Sequence, residues 1–380
     1  MKILNIIGRI DVQKEFDSIF DDTGDFLVTR IVGPNHYFEM SGESMYNFLL
    51  FEEKYEQVDN SLKKKQIITS LLNRREVCDG FFYHKSLHGN ADTQLRSTSA
   101  VIRTLLLGYK DGLVTKDIIL DVVDRHFKYY LNWNDGIWFC HDTSEYDGVF
   151  ASSNIKTSYL NKSKNNTVTL NTHFDSMTTL SLVLQKGLVR DFNFFSELYI
   201  KGIVSINFIL KEEKKNSFLD DFFQRVDDMF FLNSFKVKGN FLNKFYNRIF
   251  HSLLFKIIKP TIFFKNGFIG RDLAVMNIHN DYLLVNLVDM LRFIKGYNLF
   301  MKDRTSVSLY EKDLLNFIHK AVDLIESNGQ IQEYILNSDL QKAWYAEMLF
   351  LFKDHSSKFE DKYESIKQSN DYVFDNFVFE

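Results

Sequence analysis

Five of the ten histidines in this 380-residue chain fall in four short polar segments that also carry acids, aromatic residues and arginines. The first holds Asp79, Tyr83, His84, His88, Asp92 and Arg96; the second holds Asp135, Trp138, His141, Asp142 and Glu145. The third holds Asn171, His173 and Asp175; the fourth holds Arg271, Asp272, His279 and Tyr282. Such a set suits removal of a proton beside a carboxylate, which needs the carboxylate neutralised and a base within reach. In that scheme Arg96 or Arg271 holds the carboxylate, Asn171 shares its charge, and His173, His84 or Tyr83 moves the proton. His88, Trp138, His141, Asp175, Asp272, His279 and Tyr282 complete the substrate site. Hydrolysis would instead use two carboxylates flanking the bond, with Asp79, Asp135 and Asp175 as candidates. Epimerisation, elimination and hydrolysis all stay open on these residues.

Each of these residues also has an ordinary structural duty. Asp79-Gly80 and Asp135-Gly136 are turn dipeptides. Asn171 and Asp92 suit helix caps, because their side chains accept from the first free N–H groups. Trp344 and Tyr345 form either a sugar-stacking platform or core packing. Asp289 and Arg292, one turn apart, read as an ion pair with each other. His126, His251, His319 and His355 lie within helical stretches and read as structural or solvent-facing.

The elements that must position these groups are helices. There are 2 prolines, where average usage predicts about 19, so long helices with short connections are favoured over loop-rich β architecture. Apolar spacing predicts helices near 43–57, 60–75, 94–109, 115–131, 171–186, 193–213, 217–231, 241–258, 281–297, 310–326, 338–353 and 357–369. Residues 1–42 differ. Short β-branched and aromatic stretches separated by turn chemistry predict a small β-containing extension there, with the helical domain over 43–380. Cys78-Asp79-Gly80-Phe81-Phe82-Tyr83-His84 is echoed by Asn134-Asp135-Gly136-Ile137-Trp138-Phe139-Cys140-His141, about one helical hairpin later. Outer helices alternating with inner ones, and long polar loops before the inner ones, predict an (α/α) toroid of about six hairpins. Its inner-helix N-termini would gather at one mouth, where their partial positive charge suits an anionic ligand.

Leu170-Asn171-Thr172-His173-Phe174-Asp175, Asn266-Gly267-Phe268-Ile269-Gly270-Arg271-Asp272-Leu273 and Ala343-Trp344-Tyr345-Ala346-Glu347 resemble helix entries of six-hairpin toroid proteins acting on carbohydrates. The similarity is to the helical domains of uronate epimerases and polysaccharide lyases, and it spans residues 44–370 in architecture. It implies a sugar-acting enzyme; the expected substrate is an acidic sugar or glycan, and the Phe-, Asn-, Lys- and Ile-rich composition adds the expectation of bacterial surface-polysaccharide biosynthesis. No complete catalytic signature matches, so no catalytic role is carried over from it. A non-catalytic toroid that binds a glycan or a partner as an assembly factor is the alternative. Cys140-His141 with the distant Cys78 also resembles the zinc site of lanthionine cyclases, although Asp142 follows the histidine here and the flanking glycines differ.

Composition excludes several classes. A net charge of −4 and a pI near 6.2 argue against nucleic acid as the partner. Two cysteines cannot form a disulfide framework and fit a reducing compartment. The absence of any run of 18 apolar residues predicts a cytoplasmic protein. Residues 229–271 contain eight basic residues and no acid, and the stretch 236–259 has helical apolar spacing. That pattern fits an anionic membrane surface, a track for an acidic polysaccharide, or a helix with a solvated lysine face. No cofactor and no resident metal are expected.

Overall fold

The computed structural model of the chain describes residues 42–43, 45–47, 49–50, 52–77, 84–85, 91–92, 95–141, 143–146, 168–213, 262–270, 282–337, 339–356 and 361. Over these residues the protein is mainly helical. The expected β-containing extension lies outside them except for residue 42. So do the helices expected over 217–231 and 241–258, and all but one residue of 357–369. The basic stretch 236–259 therefore lies outside the described residues too.

Two helices form the interior. Helix α2 (Leu95–Lys110) is buried from Leu95 to Gly108, and α4 (Leu170–Gln185) from Leu170 to Leu184. A surface helix keeps a wet face; these have none, so they lie inside the fold. Both carry many hydroxyls, which is tolerable only if each finds an acceptor. Thr104 donates to the Ala100 carbonyl (3.0 Å), Thr178 to that of Phe174 (2.9 Å) and Ser181 to that of Thr178 (2.7 Å). Spending the hydroxyls within the helix leaves the flanks free for contacts between helices.

The two interior helices run parallel. Ser99 of α2 meets Ser176 of α4 (Oγ to Oγ, 3.4 Å), and one turn further along Arg103 meets Thr179 (2.7 Å). Helix α3 (Lys116–His126) follows α2 through a short turn at Gly112 (φ 73°) and returns antiparallel. Its last residue, His126, reaches Ser99 near the start of α2 (3.0 Å). α3 buries Ile119, Val122, Val123 and His126, a single stripe at 3–4 spacing. Before α2 lies α1 (Ser61–Val77), whose Lys64 near the first turn binds Asp111 just beyond the end of α2 (3.0 Å), so these two are also antiparallel.

α5 (Phe192–Glu213) packs on α4 at Gly202, where any Cβ would lie 2.3 Å from the Met177 sulfur. α6 (Tyr282–Gly296) also packs on α4, with Phe293 5.2 Å from Phe174 and 6.4 Å from Tyr199 of α5. Beyond it come α7 (Glu311–Ser327), α8 (Gly329–Leu336) and α9 (Asp339–Phe352). α8 falls between two expected helices and was not foreseen; the Asn328 side chain caps it by accepting from Gln330 N–H (3.0 Å) and Ile331 N–H (3.2 Å).

Two antiparallel ribbons interrupt the helices. β1 (His84–Lys85) pairs with β2 (Ala91–Asp92), setting His84 opposite Asp92. β3 (Tyr130–Trp133) pairs with β4 (Gly136–Phe139). The helix expected over 115–131 therefore stops at His126. Asn134 and Asp135 both adopt positive φ (47° and 63°), the geometry of a two-residue hairpin turn whose twist matches its strands. Aromatic Tyr130 and Trp133 favour the pleated form once that turn is set. Gly136 is required by its neighbour: a Cβ there would lie 2.4 Å from the Lys201 carbonyl oxygen. Among the described residues no helix is long and apolar enough to cross a membrane.

Candidate functional site

The end of the β3–β4 ribbon joins the starts of both interior helices. Beyond β4, Cys140 N–H donates to the Tyr129 carbonyl (3.1 Å) and delivers His141 to the helix ends. The His141 carbonyl accepts from the N–H of Leu95, the first residue of α2 (3.0 Å). Its half-buried ring places Nδ1 3.2 Å from Thr172 Oγ1 at the start of α4. One residue thus ties together two parallel helix N-termini, each an electropositive end.

At the start of α4, Thr169 holds the cap position in extended conformation, without a side-chain cap bond. Asn171, expected as the cap, instead lies inside the helix at its second residue. It is 4% exposed, and its Oδ1 has no hydrogen-bond partner. The helical ladder begins with His173 N–H donating to the Thr169 carbonyl (3.3 Å). The N–H groups of Leu170, Asn171 and Thr172 precede that first bond.

Deeper along the same helices lies a buried ionic network. Arg96 forms a bidentate pair with Asp289 of α6 (2.8 and 3.1 Å). Arg103 grips Glu43 through two bonds (2.6 and 3.0 Å) and donates to Thr179. Its Nη1 also lies 2.9 Å from Asp175 Oδ1, whose carboxylate makes no well-aligned hydrogen bond. Arg292 pairs with Glu347 of α9 (2.5 Å) and approaches Glu43 (3.9 Å) and Asp175 (4.0 Å). Asp289 and Arg292 were expected to pair with each other; each instead reaches across to another helix. Four carboxylates face three guanidinium groups here. Burial pushes the Asp289 carboxyl up to about 6 and the Asp175 charge adds to this, while Arg96 pulls the other way. Burial opposes the Arg103 charge, but Asp175 and Glu43 outweigh it and hold its pKa above the ordinary value.

His173, expected to move a proton, is wholly buried. Its ring stacks on Trp138 (3.9 Å, 10°), and its Nδ1 accepts from the Phe139 N–H (3.1 Å). Burial lowers its pKa to about 3, with the Gly202 backbone acting the other way. A neutral imidazole in this position fastens the ribbon to α4. Trp138, expected to line the substrate site, is also fully buried, with Trp133 edge-on (5.5 Å). Asp135 is exposed in the hairpin turn, at the opposite end of β4 from His141 and about 20 Å away along extended chain.

The expected residues therefore divide. Arg96, His141, Asn171 and Asp175 lie at or just below the joined ends of α2 and α4. Tyr282 is half-buried at the first residue of α6. Asp79, Tyr83, His88, Arg271, Asp272 and His279 lie outside the described residues, as does Cys78. Glu43, Arg103 and Glu347 were not anticipated. For Arg103 and Glu347 the signal is a charge within an apolar run, as in Val101-Ile102-Arg103-Thr104-Leu105; Glu43, between Gly42 and Ser44, carries no such signal. Of the platform candidates, Tyr345 is buried with its hydroxyl on Glu326 (2.5 Å), while Trp344 is half-buried against the core. Among the described residues no group of three His, Cys, Asp or Glu side chains could hold a metal ion.

The architecture defines a mainly helical protein with a polar, ionic interior. No known family, curated protein or solved structure matches the chain.

Proposed function

We propose that the chain is a carbohydrate-active protein of the (α/α) toroid type that takes an acidic sugar or glycan at the end where α2 and α4 begin. The observation that carries this reading is the His141 joint, which brings two parallel helix N-termini together with Arg96 and Asn171 beside them. Parallel interior helices with an antiparallel helix between them are the arrangement a toroid repeats. The partial positive charge at their starts favours negative charge on a ligand. The chemistry on the sugar is epimerisation, elimination or hydrolysis, in the membrane-associated assembly of a surface polysaccharide.

The test is incubation with uronate-containing glycans under three readouts. Deuterium uptake from solvent reports epimerisation, ultraviolet absorbance of an unsaturated end reports elimination, and new reducing ends report hydrolysis. Activity that falls at least ten-fold in His141→Ala, with helicity retained, supports the reading; turnover unaffected by His141→Ala refutes the site. A second reading, binding without catalysis, is favoured by one observation: His173, the expected base, is committed to the core. Glycan binding with none of the three products selects it.

A further inference from the structure

Beside the His141 joint the fold leaves Asn171 Oδ1 without a hydrogen-bond partner. Oδ1 is buried and has no partner, although a buried acceptor without a donor destabilises a fold. Helical side chains lean toward the N-terminal end of their helix. The carboxamide is thus carried to the same end as the N–H groups of Leu170, Asn171 and Thr172. Thr169, at the cap position, makes no side-chain bond to them. Half-buried His141 borders this end of the helix through Thr172. A simple anion would satisfy the donors and leave Oδ1 unpaired. A neutral polyol would satisfy Oδ1 and leave the electropositive helix end bare.

We infer that the start of α4 is a subsite for a hydroxylated carboxylate, in which backbone N–H groups of Asn171 and Thr172 hold the carboxylate and Asn171 Oδ1 accepts from a neighbouring hydroxyl. This deepens the acidic-sugar reading and rests on it. Asn171 is here a binding residue whose cost to the fold is offset when ligand arrives.

The experiment titrates the full-length chain with glucuronate, acetate and glucose, by calorimetry and by backbone amide shifts, in wild type and Asn171→Leu. Glucuronate should bind more tightly than either half-probe and shift the Asn171 and Thr172 amides. Asn171→Leu should weaken it about ten-fold while its Tm stays at or above that of wild type, since it removes an unsatisfied acceptor. Should Asn171→Leu fail to fold, Asn171→Asp serves. Its charge is favourable at a helix N-terminus but repels a carboxylate, so it should lose glucuronate. Equal glucuronate affinity in wild type and variant, or amide shifts confined to other residues, overturns this subsite and leaves the acidic-sugar reading standing. A lower Tm in Asn171→Leu with unchanged binding assigns Asn171 to the fold alone and also overturns it. Failure of glucuronate and of every uronate glycan to bind removes both.

Discussion

Replacing Arg103 with methionine tests whether the interior is held by its ionic network or merely tolerates it. The guanidinium makes two bonds to Glu43 and one to Thr179, and lies 2.9 Å from Asp175. Arg103, Glu43 and Asp175 are each at most 4% exposed. Methionine fills much of the same space, so the effect is dominated by charge rather than by a cavity. The variant leaves Glu43 and Asp175 buried with Arg292, at 3.9 and 4.0 Å, as the ion-pair partner that remains within 4 Å among the described residues. Removing one partner of a buried pair costs about 3–5 kcal/mol. Against a total stability of roughly 5–15 kcal/mol, that is a large fraction of what holds the protein folded. Urea unfolding followed by circular dichroism should show the midpoint fall accordingly. Glu43→Met should be nearly as damaging alone. The double variant should recover at least 1 kcal/mol relative to the sum, because neither charge is then left unpaired. A single-variant loss below about 1 kcal/mol, or additivity within about 0.5 kcal/mol, would refute the reasoning.

The Asp289 carboxyl, raised to about 6, binds its proton more tightly in the folded than in the unfolded chain. Its contribution to stability is therefore complete below about pH 4 and is lost as pH rises through about 6. Unfolding midpoints across that window should show this slope, and Asp289→Asn should flatten it; an unaltered slope would assign it to other groups. His173, with its pKa lowered to about 3, should give imidazole proton resonances that do not move between about pH 5 and 8. A midpoint near the ordinary histidine value would place the ring in water and contradict its stacking on Trp138.

The helical character of the chain was legible because burial of an apolar stripe imposes its period locally. Helices α2, α4, α5, α6 and α7 begin and end close to the positions that spacing predicted. The β3–β4 ribbon was not legible, since Tyr129 to Trp133 continues the apolar density of α3. Only the paired positive φ values at Asn134 and Asp135 and the closeness of α5 at Gly136 turn that segment into strand. α8 escaped notice because its start depends on a single side chain, Asn328, folding back onto two N–H groups.

For the site, residue types in the sequence determined that histidines, acids and arginines would cluster before the interior helices. They did not determine which of these face a ligand and which face one another. His173 and Asn171 sit two residues apart on one helix turn, yet packing commits the ring face and Nδ1 of the first to Trp138 and the Phe139 N–H, while the Oδ1 of the second has no partner. Arg96 and Asp289 are far apart in sequence, and their pairing exists only because α2 and α6 both pack on α4. Charge and hydrogen-bonding capacity belong to the residue itself and can be read from the chain. Whether that capacity is spent inside the protein depends on neighbours brought from distant sequence, which tertiary packing alone decides.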